Sequence, residues 1–380
     1  MCPILALDRH TISSIHSGQV ITSIESIVKE LLENSLDAKA NNIDIRLVDD
    51  GLDTVEIRDD GSGITKTDCC NMARRHHTSK LTTFSDLDNI STYGFRGEAL
   101  SSICELAEEV YITTKTEQDK VATCYKLDRK GGIKSENTAG TMYRSGTMVS
   151  IHRPFVNLPV RRQVAEKART ISIKRIQELA IKYGLSHPFL RLSLHQLHST
   201  LGQLRKQPTW VKPSTSSLLE GVRIIYDSTL ASMVEECSLE ESFDQQLEPD
   251  VTSSPQPIRL HCLLPSKLSD PSYIFKGDRV FIYVNKRPIN YAKSDLKEMV
   301  AMVRRRYKRT LDLDDDVRKV PFMYIDVQTG FGDYDVNIEP DKSVVMLLHK
   351  DRILTLFEDL LDRIYGSFFS QNRQNEVLEK

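Results

Sequence analysis

A change of hydrophobic period near the start of the chain limits the fold before anything else does. Ile24, Ile27, Val28, Leu31, Leu32 and Ser35 recur at helical spacing and predict an amphipathic helix over 22–38. Thr22, with Glu25 three positions on, has the spacing of a capping box. Residues 43–48 then alternate strictly, Asp49-Asp50-Gly51 marks a turn, and 54–58 alternate again, which predicts two strands in an antiparallel hairpin. A helix followed by such a hairpin argues against a doubly wound parallel sheet.

Further on, a glycine-punctuated charged region at 59–97 leads into a helix expected from Glu98 to about Ala107. Strands are expected near 109–114, 121–128 and 147–152, and a helix near 164–183. Residues 208–217 collect Pro, Thr, Ser and Lys and read as a linker or long loop, and 235–250 as an exposed acidic loop. Beyond them, 273–285, 321–327 and 333–338 read as strands, 292–309 as a basic helix and 350–366 as a closing helix. A length of 380 residues implies two or three domains at roughly 150 residues each. The composition shift places a boundary near 215, and the polar last ten residues look like the start of a linker.

Charge and cysteine usage narrow the class. With 51 Lys and Arg against 53 Asp and Glu, the net charge of -2 excludes a histone-like surface, though not a local basic face. Cysteines at 2, 69, 70, 104, 124, 237 and 262 show neither a disulfide framework nor zinc spacing, so a reducing compartment is expected. Pro3–Leu7 is too short for a signal-peptide core, and Val344–Leu348 is far below the roughly 20 apolar residues of a membrane span. A soluble, intracellular protein is expected.

Three segments carry chemistry. Glu30, Asn34 and Asp37 share one helix face at i, i+4 and i+7. They form either a solvated face or a site in which Glu30 polarises a water and Asn34 offers an amide oxygen to Mg²⁺, and the spacing does not decide between the two. Asp59-Asp60-Gly61-Ser62-Gly63-Ile64 ends a strand with two glycines that let backbone approach a flat ligand, and its carboxylate can accept from an exocyclic amine. Tyr93 to Ser101 is a glycine-bearing loop entering a helix, whose N-terminal amides suit a triphosphate. Neither the Walker A sequence nor the G-x-G-x-x-G fingerprint occurs, so any nucleotide is held differently from P-loop or Rossmann proteins.

Read in order, Glu30 to Ala38, Asp59 to Ile64, Gly94 to Ile103 and Gly146-Thr147 resemble the ATP-binding motifs of the GHKL superfamily, which joins gyrase, a heat-shock chaperone, histidine kinases and MutL. His77-Thr78-Ser79-Lys80 and Asn157-Leu158-Pro159-Val160-Arg161, with the long form of the third motif, resemble MutL homologues in particular. Phe281 to Pro288 and Val336 to Lys342 are similar to that family's second-domain signatures, so the likeness runs from about residue 10 to 365 and is strongest to the PMS-type eukaryotic subunit.

The resemblance implies an α+β class, with a GHKL (Bergerat) α/β sandwich over 1–215 and a smaller α/β transducer domain with a left-handed βαβ crossover over 216–365, and with 366–380 beginning a linker. It implies that Glu30 is the general base, that Asn34 is the Mg²⁺ ligand, and that Asp59, with Thr147, reads adenine while Gly61 and Gly63 let backbone approach it. Residues 76–103 would cover the phosphates, with Thr78, Ser79, Lys80, Phe95, Arg96, Gly97, Glu98, Ala99 and Leu100 near them. Lys342 of the second domain would reach the γ-phosphate. Asp60 stands where the family usually has Asn, and its charge is expected to weaken nucleotide binding.

Arg304-Arg305-Arg306, with Lys308 and Arg309, reads as a solvated helix face, a nuclear-import signal or, together with Arg161, Arg162, Lys286 and Arg287, a groove for DNA phosphates. Implied partners are a second MutL-type subunit, double-stranded DNA without sequence preference and a MutS-type recognition complex in the nucleus, with no membrane. The expected activity is slow ATP hydrolysis with N-terminal dimerisation; the alternative is a binding module gated by ATP with incidental turnover. A histidine kinase lacks room for its phosphoacceptor helix before residue 22, a topoisomerase lacks this third-motif form, and no D-Q-H-A-x-x-E endonuclease motif occurs.

Overall fold

The protein's computed structural model describes residues 6–81, 83, 92–140, 142, 144–197, 207–241, 256–277, 279–313, 319–336, 338–339 and 342–367. The chain divides into two units, residues 1–184 with 188–216, and residues 185–187 with 217–380.

In the first unit, α1 (Arg9–Val20) precedes α2 (Ile24–Asp37). The α2 cap is one residue later than Thr22. The Ser23 hydroxyl accepts from the Ser26 N–H at 3.2 Å, and the Ser26 hydroxyl accepts from the Ser23 N–H at 3.0 Å. Glu25 is drawn away to the neighbouring helix, where its carboxylate meets Ser172 at 3.3 Å and Arg175 at 3.6 Å. The apolar stripe of α2 faces the hairpin of β1 (Asn42–Val48) and β2 (Thr54–Asp59), paired Ile45 to Ile57. The turn between them holds Asp49, Asp50 and Gly51 all at positive φ.

The short α3 (Lys66–Cys69) and α4 (Ala99–Leu106) follow, then β3 (Glu109–Lys115), β4 (Ala122–Leu127), β5 (Ile133–Ala139) and β6 (Gly146–His152). The helix expected at 164–183 is two, α5 (Pro159–Lys167) and α6 (Arg169–Ser186). After β7 (Arg191–Leu197), the stretch taken for a loop contains β8 (Trp210–Lys212), which pairs with β7. The eight strands make one mixed sheet in the order β5-β4-β3-β6-β2-β1-β7-β8, with β1 and β7 parallel. Ile27, Leu31 and Leu32 of α2, Ile103 of α4 and Ile176 and Ala180 of α6 form one core with Ile43, Ile45, Ile57, Ile112 and Ile151 of the sheet. Each fully buried aliphatic side chain contributes about 1.5–3 kcal/mol. β5 escapes the sequence reading because its interior residues are exposed and polar, so no alternation marks it.

The second unit opens with α7 (Leu218–Ile225) and α8 (Ser228–Ser232), then β9 (Val234–Glu240), β10 (Arg259–Pro265), α9 (Pro271–Ile274), β11 (Val280–Val284) and β12 (Arg287–Ile289). It closes with α10 (Lys297–Thr310), β13 (Met323–Gln328), the two-residue strands β14 (Tyr334–Asp335) and β15 (Met346–Leu347), and α11 (Lys350–Tyr365). The acidic stretch expected as a loop is strand through Glu240, and 242–250 lie outside the described residues. The strand expected over 273–285 begins only at Val280, because Asp270 caps α9 through the Ser272 N–H at 2.8 Å. The sheet order is β12-β11-β13-β10-β9, with β11 and β13 parallel and α10 in the connection between them, as a parallel pair requires. The observed class is α+β.

Candidate active site

Asp59 ends β2 in the buried interior of the first unit, 8% exposed. Its Oδ1 accepts the Gly61 N–H at 3.0 Å and the Thr147 N–H at 3.1 Å, and its Oδ2 accepts the Ser35 hydroxyl at 2.8 Å. Burial raises its pKa above the ordinary aspartate value, against the lowering effect of the hydrogen bonds from Gly61, Ser35 and Thr147. A carboxylate has about four acceptor directions, so one faces no protein donor among those named. The glycines beside it are sterically required. A Cβ at Gly63, which sits at φ +72°, would lie 2.2 Å from the Lys115 carbonyl oxygen, and one at Gly61 would lie 2.7 Å from that of Ala38. Thr114 ties this corner together, its hydroxyl accepting the Ile64 N–H at 2.8 Å beside the Thr147 hydroxyl at 3.3 Å.

Asp60 does not face the same way. It accepts the Asn41 and Asn42 N–H groups at 2.8 and 2.7 Å and the Asn42 side-chain amide at 2.6 Å, fastening the start of β1. An Asn could offer only one oxygen to these three donors. The extra charge therefore has a local partner set, and at the site it adds to the upward shift that burial imposes on the Asp59 pKa.

One turn apart on α2, Glu30 is buried and Asn34 half-buried. The Asn34 Oδ1 accepts the Lys80 ammonium at 3.0 Å, and the same ammonium lies 2.6 Å from Asp37 Oδ2. These oxygens are thus already turned toward a cation, and the amide oxygen is a hard ligand suited to Mg²⁺. Asp37 also accepts the Tyr93 N–H at 2.8 Å and the Gly94 N–H at 3.0 Å. Among the described residues no group of three or more His, Cys, Asp or Glu could hold a metal, so Asn34 would act with waters and substrate oxygens. Sequence reasoning missed Glu33, 1% exposed, whose carboxylate accepts the Tyr183 hydroxyl at 2.5 Å and pairs with Lys29 at 3.1 Å. Its main partner lies 150 positions away and leaves no local signal.

In the glycine-bearing loop, Phe95 is buried and the Arg96 guanidinium lies 5.6 Å from its ring centroid. Gly97, at φ +63°, offers its carbonyl to the His76 N–H at 2.9 Å, and a Cβ there would lie 2.5 Å from the His77 oxygen. Glu98 faces His76 at 3.5 Å and His16 at 3.7 Å. Ala99 begins α4, Leu100 packs on the core, and Thr78 accepts the Lys80 N–H at 3.1 Å beside the exposed Ser79. Residues 82 and 84–91 of the segment expected to cover the phosphates lie outside the described residues.

The basic residues separate by burial. Arg161 donates to the Ile21 carbonyl at 2.9 Å and stacks on Phe155, and Arg162 faces Glu166 at 3.7 Å. In the second unit Arg287 and Arg306 are buried, and Arg306 forms an ion pair with Asp362 at 2.5 Å and donates to the Gly366 carbonyl at 3.1 Å. Such buried arginines cannot form salt-sensitive phosphate contacts as placed. Lys286, Arg305 and Arg309 are exposed and Arg304 half-exposed. Lys342, also in this unit, is 4% exposed at φ +54°.

Residues 21–148 match the family described as histidine kinase-, DNA gyrase B- and HSP90-like ATPase. Residues 239–366 match the family described as DNA mismatch repair protein, C-terminal domain. The human protein named PMS1 protein homolog 1 is 36% identical over 366 residues, 95% of this chain and 36% of that one. The Saccharomyces cerevisiae DNA mismatch repair protein PMS1 is 30% identical, over 98% of this chain and 41% of its own. The chain thus spans well under half the length of these relatives. A crystal structure of the N-terminal domain of a DNA repair protein superposes with a TM-score of 0.73 at 28% identity, covering 97% of this chain and 99% of the other. The ADP complex of the Aquifex aeolicus MutL ATPase domain, at 22% identity, 81% and 92% coverage and a TM-score of 0.51, shares the fold. The first family match, over the sheet whose glycine-cradled carboxylate and α2 face occupy the motif positions, the second match over residues 239–366 and relatives at 30–36% identity across at least 95% of this chain establish that the chain belongs to the MutL homologues, the DNA mismatch repair proteins that carry a GHKL-type ATPase fold.

Proposed function

We propose that this chain is the ATP-binding and slowly hydrolysing N-terminal region of a MutL homologue acting in DNA mismatch repair in the nucleus. The observation that carries the reading is Asp59, a buried carboxylate with an acceptor direction to spare, flanked by two glycines that leave no room for side chains. That is the arrangement a planar base with an exocyclic amine fits. Asp59 and Thr147 would hold the base, and the backbone of Arg96 to Leu100, with Thr78 and Ser79, would face the phosphates.

Glu30 would take a proton from the attacking water, and Asn34 would give one oxygen to Mg²⁺, which when bound neutralises triphosphate charge. Lys342 would add a positive charge at the γ-phosphate. Coupling to a second MutL-type subunit, to double-stranded DNA through Lys286, Arg304, Arg305 and neighbouring basic side chains, and to a MutS-type complex would follow from ordering by nucleotide.

Glu30→Ala is the test. It is expected to bind an ATP analogue within a few-fold of wild type and to lose phosphate release by two to four orders of magnitude, roughly the contribution of a general base. Undiminished turnover would remove Glu30 from its role. Wild type that binds the analogue without releasing phosphate would favour the gated binding module.

A further inference from the structure

Asn34, Asp37, Lys80, Tyr93 and Gly94 form a closed charge cluster whose centre is an ammonium. Lys80 Nζ donates to Asn34 Oδ1 at 3.0 Å and to Asp37 Oδ2 at 2.6 Å. A Cβ at Gly94 would come within 2.8 Å of that nitrogen and 3.3 Å of Asn34 Oδ1, so a side chain there would have to push the end of the lysine aside. The oxygen it holds is the one that the ATPase reading gives to Mg²⁺. A metal at the usual 2.0–2.1 Å from that oxygen, with the ammonium still on it, would put two cations within about 5 Å in a poorly solvated pocket. The Lys80 and Asp37 side chains are only 21% and 6% exposed, so water screens this repulsion weakly.

Resting on that reading, we propose that Lys80 is the resident cation of the metal position: its ammonium excludes free divalent metal and leaves only when metal and triphosphate arrive together. The exchange leaves nothing orphaned on the protein side. Asp37 keeps the Tyr93 and Gly94 N–H groups at 2.8 and 3.0 Å, and the departing ammonium finds phosphate oxygens. Metal therefore does not bind ahead of nucleotide, and Asp37 acts as a positioning residue that keeps residues 93–94 against α2 in either state.

Free Mn²⁺, followed by its electron paramagnetic resonance signal with no nucleotide present, is the probe. Wild type is expected to bind it weakly, and Lys80→Met at least about tenfold more tightly, with an unchanged circular dichroism spectrum. Lys80→Arg, which keeps the charge, should stay as weak as wild type, and the Lys80→Met, Asn34→Ala double variant should lose the gain. Equal Mn²⁺ affinity in wild type and Lys80→Met would overturn the proposal. So would an Arg variant that binds like the Met variant, because loss of packing rather than of charge would then have opened the position. Binding of a fluorescent ATP analogue to wild type in Mg²⁺ is measured alongside. Failure there sinks the nucleotide reading while the Mn²⁺ comparison still stands.

Discussion

Replacing Asp59 by Asn would separate the carboxylate's cost to the fold from its use to a ligand. Burial is the largest influence on its pKa and raises it, so the folded state binds its proton more tightly than the unfolded chain does. Stability from this group is therefore highest at low pH and falls as pH rises through the ordinary aspartate value toward the raised one. Asn can accept from Gly61 and Thr147 and donate to Ser35, so the fold keeps its bonds and sheds the charge. Asp59→Asn should melt no lower than wild type at pH 7, lose its advantage under acid conditions and bind ATP at least about a hundredfold more weakly, the scale of a lost charge-assisted hydrogen bond. Calorimetry at two pH values with nucleotide titration checks both halves. Normal ATP affinity would dismiss the assigned role.

At the scale of elements, α10 shows how a run of like residues divides once the helix is placed. Arg305 and Arg306 are neighbours in sequence, yet Arg305 is exposed while Arg306 is 7% exposed and ion-paired with Asp362 on α11. A helix turns 100° per residue, enough to carry Arg305 to solvent while Arg306 packs. Arg306→Ala should cost about 1–3 kcal/mol, read as a lower melting temperature of the second unit. This is less than breaking a fully buried pair costs, because the Glu358 and Asp362 side chains are 60% and 35% exposed and water solvates them once the guanidinium is gone. Arg305→Glu should leave melting nearly unchanged and reduce the salt dependence of DNA affinity by about one phosphate contact. An unaltered salt slope would point the DNA reading to another surface. On α2, Ser23→Ala should cost about 1 kcal/mol because it empties the cap, whereas Thr22→Ala should cost less.

Across the whole molecule, the first unit contains Glu30, Asn34, Asp59 and Thr147, while Lys342 belongs to the second. A fragment of residues 1–216 is therefore expected to retain ATP-analogue binding and to lose most turnover, and Lys342→Ala in the full chain to lower phosphate release with little change in binding. Turnover by the fragment at the full-chain rate would remove Lys342 from the reaction.

Local period determined α2, the β1–β2 hairpin and α11, because each buries chiefly one face and its sequence repeats with that face. Gly61, Gly63 and Gly97 were legible for a similar reason, since each answers a backbone constraint within a few residues or a close approach that no side chain survives. The sequence by itself therefore excluded a doubly wound parallel sheet and marked the three segments that carry chemistry. It left open whether Glu30, Asn34 and Asp37 were a solvated face or a site, and period alone did not mark β5 or α1. Only the tertiary structure placed Lys80 on Asn34, turned Asp60 to the start of β1, joined Glu33 to Tyr183 and buried Arg306 against α11. Those outcomes depend on which groups distant in sequence meet at hydrogen-bonding distance, and a burial pattern records how much surface a residue hides but not what it hides against.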